Sequence, residues 1–262
     1  MGEEAGVWIE ALRKSHERLS RVVEGLTSEE AAGPSRCDEW SVAQVLSHMG
    51  SGAEIHLAHV EAMLAGEPMP DRASYQAIWD RWDAKSADAM VADAVAGDER
   101  LVRRLEGLTS AELATLRWDF MGRTLDAAGI VGLRLGEHAA HVWDVEAVKD
   151  PSATVLTSSA ELLVDALVPR VGRLARGDRP AAAPVDLAVT TDDPERRFVL
   201  HIGDDTTLVE GDGADTAGRL STTGEAFYRL VYGRLGAPYT PASTVIDGPV
   251  SLDELRALFP GF

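Results

Sequence analysis

Apolar residues recur along the first part of the chain with helical spacing. Between Glu3 and Leu26, the residues Val7, Ile9, Leu12, Leu19, Val22, Val23 and Leu26 recur among charged neighbours, which predicts an amphipathic helix. The spacing stops at Thr27-Ser28-Glu29-Glu30, and Gly33-Pro34-Ser35 reads as a loop. A second helix is expected from near Ser41, a good N-cap, to about Ala65, ended by Gly66, Pro68 and Pro70. A third helical region spans about Ser74 to Leu108. Its apolar stripe includes Ile78, Trp79, Trp82, Met90, Ala94, Leu101 and Leu105, with a break near Lys85-Ser86. A fourth helix is expected from about Thr124 to Val148. Four long amphipathic helices joined by loops predict an up-and-down four-helix bundle. Gly25-Leu26-Thr27-Ser28 and Gly107-Leu108-Thr109-Ser110 echo each other, a weak sign of an internal repeat.

At Asp150-Pro151-Ser152 the pattern changes. One helix is expected from about Ser158 to Arg173, kinked at Pro169, followed by a linker over Gly177–Pro184. Short alternating runs at Val185–Val189, Arg197–Ile202 and Thr206–Val209 predict strands. Helices from about Thr223 to Gly233 and from Ser251 to Leu258 complete a small α+β domain. The expected organisation is therefore a helical domain over residues 1–150 and an α+β domain over residues 151–262.

Composition narrows the function classes. The chain of 262 residues is 45% hydrophobic and 26% charged, a globular balance with enough apolar surface for large cores. No apolar run approaches the ~18 residues of a membrane span, and the acidic N-terminus lacks a signal-peptide pattern. The single Cys37 excludes an intramolecular disulfide, so a cytoplasmic location is expected. Net charge is −18, from 25 basic and 43 acidic residues, which disfavours nucleic acid and anionic membranes as partners. The expected partner is a small molecule; an anionic substrate would need a local cation. A monomer or a dimer fits the chain equally.

The densest candidate chemistry lies in Leu135–Asp144, where Glu137, His138, His141 and Asp144 share one predicted helix. Glu137 and His141, four apart, project from one face, and imidazole with carboxylate suits zinc and its neighbours. His138 and His141 form a rival pair, and an ion pair between Glu137 and Arg134 explains the acid structurally; spacing does not choose among these. Asp144, one turn on, is placed to orient the His141 imidazole or to face water. Of the other histidines (His16, His48, His56, His59 and His201), His48 stands out because Val45, Leu46 and Met49 put it near an apolar face. There it is either a metal ligand or a satisfied core histidine. Cys37 sits beside Asp38 and Glu39, whose charges raise a thiol pKa, so a catalytic thiolate is not expected. The tryptophans at 40, 79, 82, 118 and 143 read as core anchors.

Two stretches together resemble a known family. Trp40-Ser41-Val42-Ala43-Gln44-Val45-Leu46-Ser47-His48 and Glu137-His138-Ala139-Ala140-His141-Val142-Trp143-Asp144 are similar to the motifs of the bacterial mycothiol-dependent maleylpyruvate isomerase family. Its members join a DinB-like four-helix bundle to a small sterol-carrier-like domain, which Phe227–Arg234 resembles more loosely. The resemblance implies a divalent metal, usually Zn²⁺, held by His48, Glu137 and His141. His138 then takes a surface or pocket-rim role, and Asp144 orients a ligand. It implies mycothiol as the thiol cofactor: metal-activated thiolate adds to a small electrophile, giving isomerisation or S-transfer. Arg234, or failing that Arg229, would hold a substrate carboxylate; capping its own helix is the structural alternative for either arginine. Two other readings stand beside this one. A related metal enzyme could act without mycothiol, as another thiol transferase, a cyclase or a hydrolase, and a non-enzymatic protein could bind a small apolar molecule.

Overall fold

A computed structural model describes residues 2–37 and 39–261. Its chain contacts divide it into two compact units, Met1–Asp150 and Pro151–Phe262.

In the first unit, long helices α1 (Gly2–Glu24), α3 (Val42–Ala65), α5 (Ala87–Glu106) and α7 (Ala127–Glu146) form a bundle. Each packs chiefly against two others: α1 against α5 and α7, and α3 against the same pair. The pairs α1 with α3 and α5 with α7 therefore lie across the bundle, whereas α3 and α5 pack side by side. Their connections carry extra elements: α2 (Ser28–Ala32) in one, α6 (Ser110–Thr115) and the hairpin β1 (Trp118–Phe120)–β2 (Arg123–Leu125) in the other. Helix α4 (Arg72–Asp83) joins α3 to α5 and packs on α3. The α4–α5 junction falls at Lys85-Ser86, and the Ser86 hydroxyl caps α5.

Local chemistry sets these boundaries. Ser41 caps α3 in a reciprocal box with Gln44, and Gly66 ends the helix in the left-handed conformation. The Gly-Leu-Thr-Ser echo has a local cause. Thr27 with Glu30, and Thr109 with Glu112, are capping boxes that start α2 and α6, so both stretches open short helices rather than trailing long ones. The β1–β2 hairpin was not apparent from periodicity. Its turn places Met121 (φ 49°) and Gly122 (φ 79°) in the left-handed region, the geometry of a type I′ turn, without the Asn-Gly pair that usually announces one. Leu19, Val45, Leu46, Met49, Trp82, Val142 and Val145 belong to one bundle core cluster. Trp82 lies against Gly50 so closely that a β-carbon there would come within 2.2 Å of the indole.

In the second unit the expected single helix is three pieces: α8 (Thr157–Leu163), a 3₁₀ turn at Asp165–Leu167, and α9 (Val171–Leu174). Pro169 lies between the last two, where it cannot donate to a helix. Among the described residues a five-stranded mixed sheet follows in the order β5-β4-β3-β6-β7. The strands are β3 (Val185–Asp192), β4 (Arg196–Ile202), β5 (Thr206–Glu210), β6 (Gly218–Thr223) and β7 (Val245–Asp247). Only the β3–β6 pair is parallel. Strands β6 and β7 escaped the periodicity because Gly218-Arg219-Leu220-Ser221-Thr222-Thr223 holds a single apolar residue and β7 spans three positions. Helix α10 (Gly224–Val231) is buried along its whole length, and α11 (Leu252–Leu258) packs beside it. No helix among the described residues is long and apolar enough to cross a membrane.

Candidate metal centre

Helix α7 is the backbone of the site. Asp126 caps its start, and from Arg134 to Val145 every residue is buried except Glu137. A helix enclosed on nearly all sides has little freedom to rotate, so the directions of its polar side chains are set by packing. Glu137 and His141 lie one turn apart, with His141 Nε2 3.7 Å from Glu137 Oε2. His48, two turns into α3, brings its Nε2 to 3.5 Å from the same oxygen. The ligand atoms of His48, Glu137 and His141 all lie within 4.8 Å of one another.

The second nitrogen of His141 is already committed. Its Nδ1 donates to Asp144 Oδ2 at 2.9 Å, inside the bundle. That bond selects the tautomer in which neutral His141 presents the Nε2 lone pair toward Glu137. The donor set therefore fits a transition-metal ion: a carboxylate and two imidazole nitrogens converge, and positive charge must be supplied between them. A tetrahedral ion with ~2.05 Å bonds needs ligand–ligand edges of about 3.3 Å, close to the 3.5 and 3.7 Å found. The site is also open, since the His48 and Glu137 side chains keep 39% and 41% exposure while His141 keeps 3%. Partial burial alone would raise the Glu137 carboxyl pKa. With no ion between them, the His141 and His48 imidazoles outweigh it when their Nε2 atoms carry protons, and hold the group well below the usual carboxylate range.

Cys37, His141 and Asp144 form an overlapping group of possible ligands. It is built around the His141–Asp144 hydrogen bond rather than on three converging lone pairs, so it fits a metal less well. Cys37 is half-buried; Asp38, invoked above for its thiol, lies outside the described residues.

His138 corrects the expectation of a surface or rim position. It is fully buried and points away from the cluster: its Nε2 donates to Asp98 Oδ2 at 2.8 Å, while Ser15 Oγ donates to its Nδ1 at 2.8 Å. Asp98, on α5 and fully buried, also receives His16 Nδ1 at 2.9 Å and Arg134 Nη2 at 2.7 Å. Burial would raise the Asp98 carboxyl pKa, but His138 and Arg134 hold it well below the usual value. Burial in turn keeps the His138 pKa below the ordinary imidazole value despite Asp98. This second carboxylate–histidine cluster was missed because Asp98 sits in the polar run Gly97-Asp98-Glu99-Arg100, which reads as solvated. Serine, histidine and aspartate are in line here as in a hydrolase triad, yet all three are sealed in the core.

Farther along α3, His56 and His59 meet Trp118 of the hairpin, and His59 Nε2 lies 2.6 Å from the Tyr75 hydroxyl. Burial lowers both imidazole pKa values, that of His56 to about 3. Trp82 and Trp143 are core residues, whereas Trp40 and Trp79 are partly exposed and wall a cleft of about 490 Å³ beside His48.

In the second unit Arg234 is buried and its Nη1 donates to the Tyr232 carbonyl just beyond the end of α10. Arg229 forms a two-pronged pair with Glu225, at 2.7 and 2.8 Å, and donates to the Tyr239 carbonyl.

A helical bundle carrying a half-open histidine–glutamate–histidine cluster, followed by a mixed-sheet unit, defines the class of protein. The profile of the mycothiol maleylpyruvate isomerase N-terminal domain matches residues 12–146, just over half of the chain, and the protein belongs to that family. The crystal structure of the mycothiol-dependent maleylpyruvate isomerase and that of a histidine-to-alanine mutant of it share the fold. Each has a TM-score of 0.69 at 15% sequence identity, over 94% of this chain and 95% of that one. No curated protein matches the sequence.

Proposed function

We propose that the protein is a metal-dependent enzyme that uses a low-molecular-weight thiol, mycothiol by analogy with its family, for isomerisation or S-transfer on a small electrophile. The observation that carries this reading is the convergence of His48 Nε2, Glu137 Oε2 and His141 Nε2, with His141 fixed from behind by Asp144. These three atoms would hold a divalent ion, Zn²⁺ by ligand chemistry, and leave one side open. Bound there, the metal would lower the pKa of a thiol so that thiolate is available near neutral pH. Asp144 keeps the Nε2 lone pair of His141 available, and the packed core around α7 keeps Glu137 and His141 in register.

The test is metal content and thiol transfer in His48→Ala and His141→Ala. Both variants should lose the metal and the reaction while keeping the helical circular dichroism of the wild type. Full metal content and turnover in both would overturn the reading. A related enzyme that uses another thiol would show the same metal loss with a different thiol preference.

A further inference from the structure

Three buried side-chain nitrogens between α3 and α7 have no hydrogen-bond partner among the described residues: His56 Nε2, His59 Nδ1 and Arg134 Nε. Their side chains are neighbours. The His56 and His59 rings, one turn apart on α3, have centroids 6.2 Å apart. From α7 the Arg134 guanidinium lies against Gly52, where a β-carbon would come within 3.1 Å of Nη1. The Gly52 carbonyl in turn accepts from His56 Nδ1 at 3.1 Å.

The bonds already made fix what each nitrogen offers. A carbonyl only accepts, so the His56 proton is on Nδ1. Burial keeps the ring neutral, with its pKa lowered to about 3, and Nε2 presents a lone pair. His59 Nε2 and the Tyr75 hydroxyl are 2.6 Å apart, below the usual range for an N–H donor and within that for an O–H donor, so Tyr75 donates. The proton of neutral His59 is then on Nδ1. Arg134 spends Nη2 on Asp98 and the Met49 carbonyl, and its Nε–H is unpartnered. The set is two donors and one acceptor. A hydroxyl group, with one proton to give and two lone pairs, is its complement. An ether or ketone would leave the His56 lone pair unpaired, and a carboxylate would set negative charge against it.

An indole now covers this set. Trp118, on the β1–β2 hairpin, has its ring centroid 4.5 Å from that of His59 and 6.0 Å from that of His56. It satisfies neither orphaned imidazole nitrogen, so the covered arrangement carries the cost of leaving them unbonded. The hairpin that holds it has strands of three residues, and a lone two-stranded ribbon of that size has little stability of its own.

We infer that His56, His59 and Arg134 form a binding site for the hydroxyl of a flat, uncharged, phenol-like ring, and that Trp118 is its lid. The ring takes the place of the indole against the two imidazoles. Its O–H donates to His56 Nε2, and its oxygen accepts from His59 Nδ1 and Arg134 Nε. The site stands apart from the metal reading: His56 lies two turns beyond His48 on α3, and none of the three residues belongs to the His48–Glu137–His141 group.

Phenol, anisole and benzoate test it, because they share a ring and differ in the proton and the charge. In protein carrying isotope-labelled histidine, phenol should shift the His56 Nε2 resonance in the NMR spectrum. Calorimetry should show anisole and benzoate binding about tenfold more weakly or worse, the loss expected when a buried acceptor stays unpaired. Trp118→Ala, which removes the lid, should bind phenol more tightly, and phenol should raise its melting temperature more than anisole does. His56→Leu in that background should erase the preference. Equal binding of phenol and anisole, or a preference that survives His56→Leu, would overturn the site. Phenol bound by Trp118→Ala and not by the wild type would overturn the lid. Should Trp118→Ala not fold, the wild-type comparison of phenol with anisole still decides. Chelating bound metal should change none of these results, so failure of the metal reading leaves the test intact.

Discussion

Helix α7 serves two clusters of nearly the same composition, and they behave as opposites. On one side, Glu137 and His141 meet His48; on the other, His138 and Arg134 meet Asp98 together with His16. Each has a carboxylate with two imidazoles. The Asp98 cluster is sealed and internally satisfied: its carboxylate faces three donors within 2.9 Å, and Arg134 brings a permanent positive charge. The Glu137 cluster is half-open, its separations of 3.5 and 3.7 Å are too long for good hydrogen bonds, and it has no arginine. Residue type does not distinguish a metal site from a structural ion network. Access and uncommitted lone pairs do.

The comparison can be broken in order of expected effect. His141→Ala or His48→Ala should abolish metal binding and reduce turnover by three orders of magnitude or more, roughly the loss that follows removal of an activating metal; elemental analysis and single-turnover assays check it. Asp98→Ala should do the reverse. It leaves Arg134 buried without its counter-charge, costing about 3–5 kcal/mol of stability, measured by urea unfolding. Metal content per folded molecule should survive in the conservative Asp98→Asn variant. If that variant unfolds no more easily than the wild type, the Asp98 network is not the structural one.

Asp144→Asn keeps the shape but removes the charge that fixes His141. Metal affinity should fall by about 10–100-fold, read by chelator competition, with a nearly unchanged melting temperature. Acid should separate the clusters as well. The folded-state pKa of Asp98 is depressed, so its contribution is fully present above the unfolded value of about 3.9 and is lost as pH falls below it. The His56 pKa is also depressed, from 6.5 to about 3, so stability falls as pH drops across that range because the unfolded chain binds the proton first. His56→Gln should therefore flatten the loss of melting temperature between pH 6.5 and 4 and leave the steep loss below pH 4. A slope unchanged by His56→Gln would contradict the assignment. The smallest effect belongs to the α3 cap: Ser41→Ala should cost about 1 kcal/mol without altering metal content, because His48 lies two turns inside the helix.

Much of this architecture is local and therefore readable in one dimension. The caps Ser41 and Ser86, the stop at Gly66 and the alternation through β3 depend on residues within a few positions of each other. The spacing of Glu137 and His141 on one helical face is of the same kind. Features that depend on a partner element were obscure. Strand β6 has only Leu220 to mark it and becomes a strand by pairing with β3, and the β1–β2 turn rests on Met121 and Gly122.

What the sequence determined by itself was the long helices of the bundle, the change of character near residue 150, and the one-turn offset of acid and imidazole on α7, since short-range sterics and helical periodicity dictate all three. Only the tertiary structure decided which polar residue of α7 faces what. Glu137 and His138 are adjacent in the chain, and their side chains leave the helix about 100° apart. Helix α3 packs beside α7 and gives Glu137 His48 and an opening, whereas α5 lies across the bundle and gives His138 Asp98 and the core. That outcome depends on the rotation of one helix among three neighbours, which no local pattern encodes.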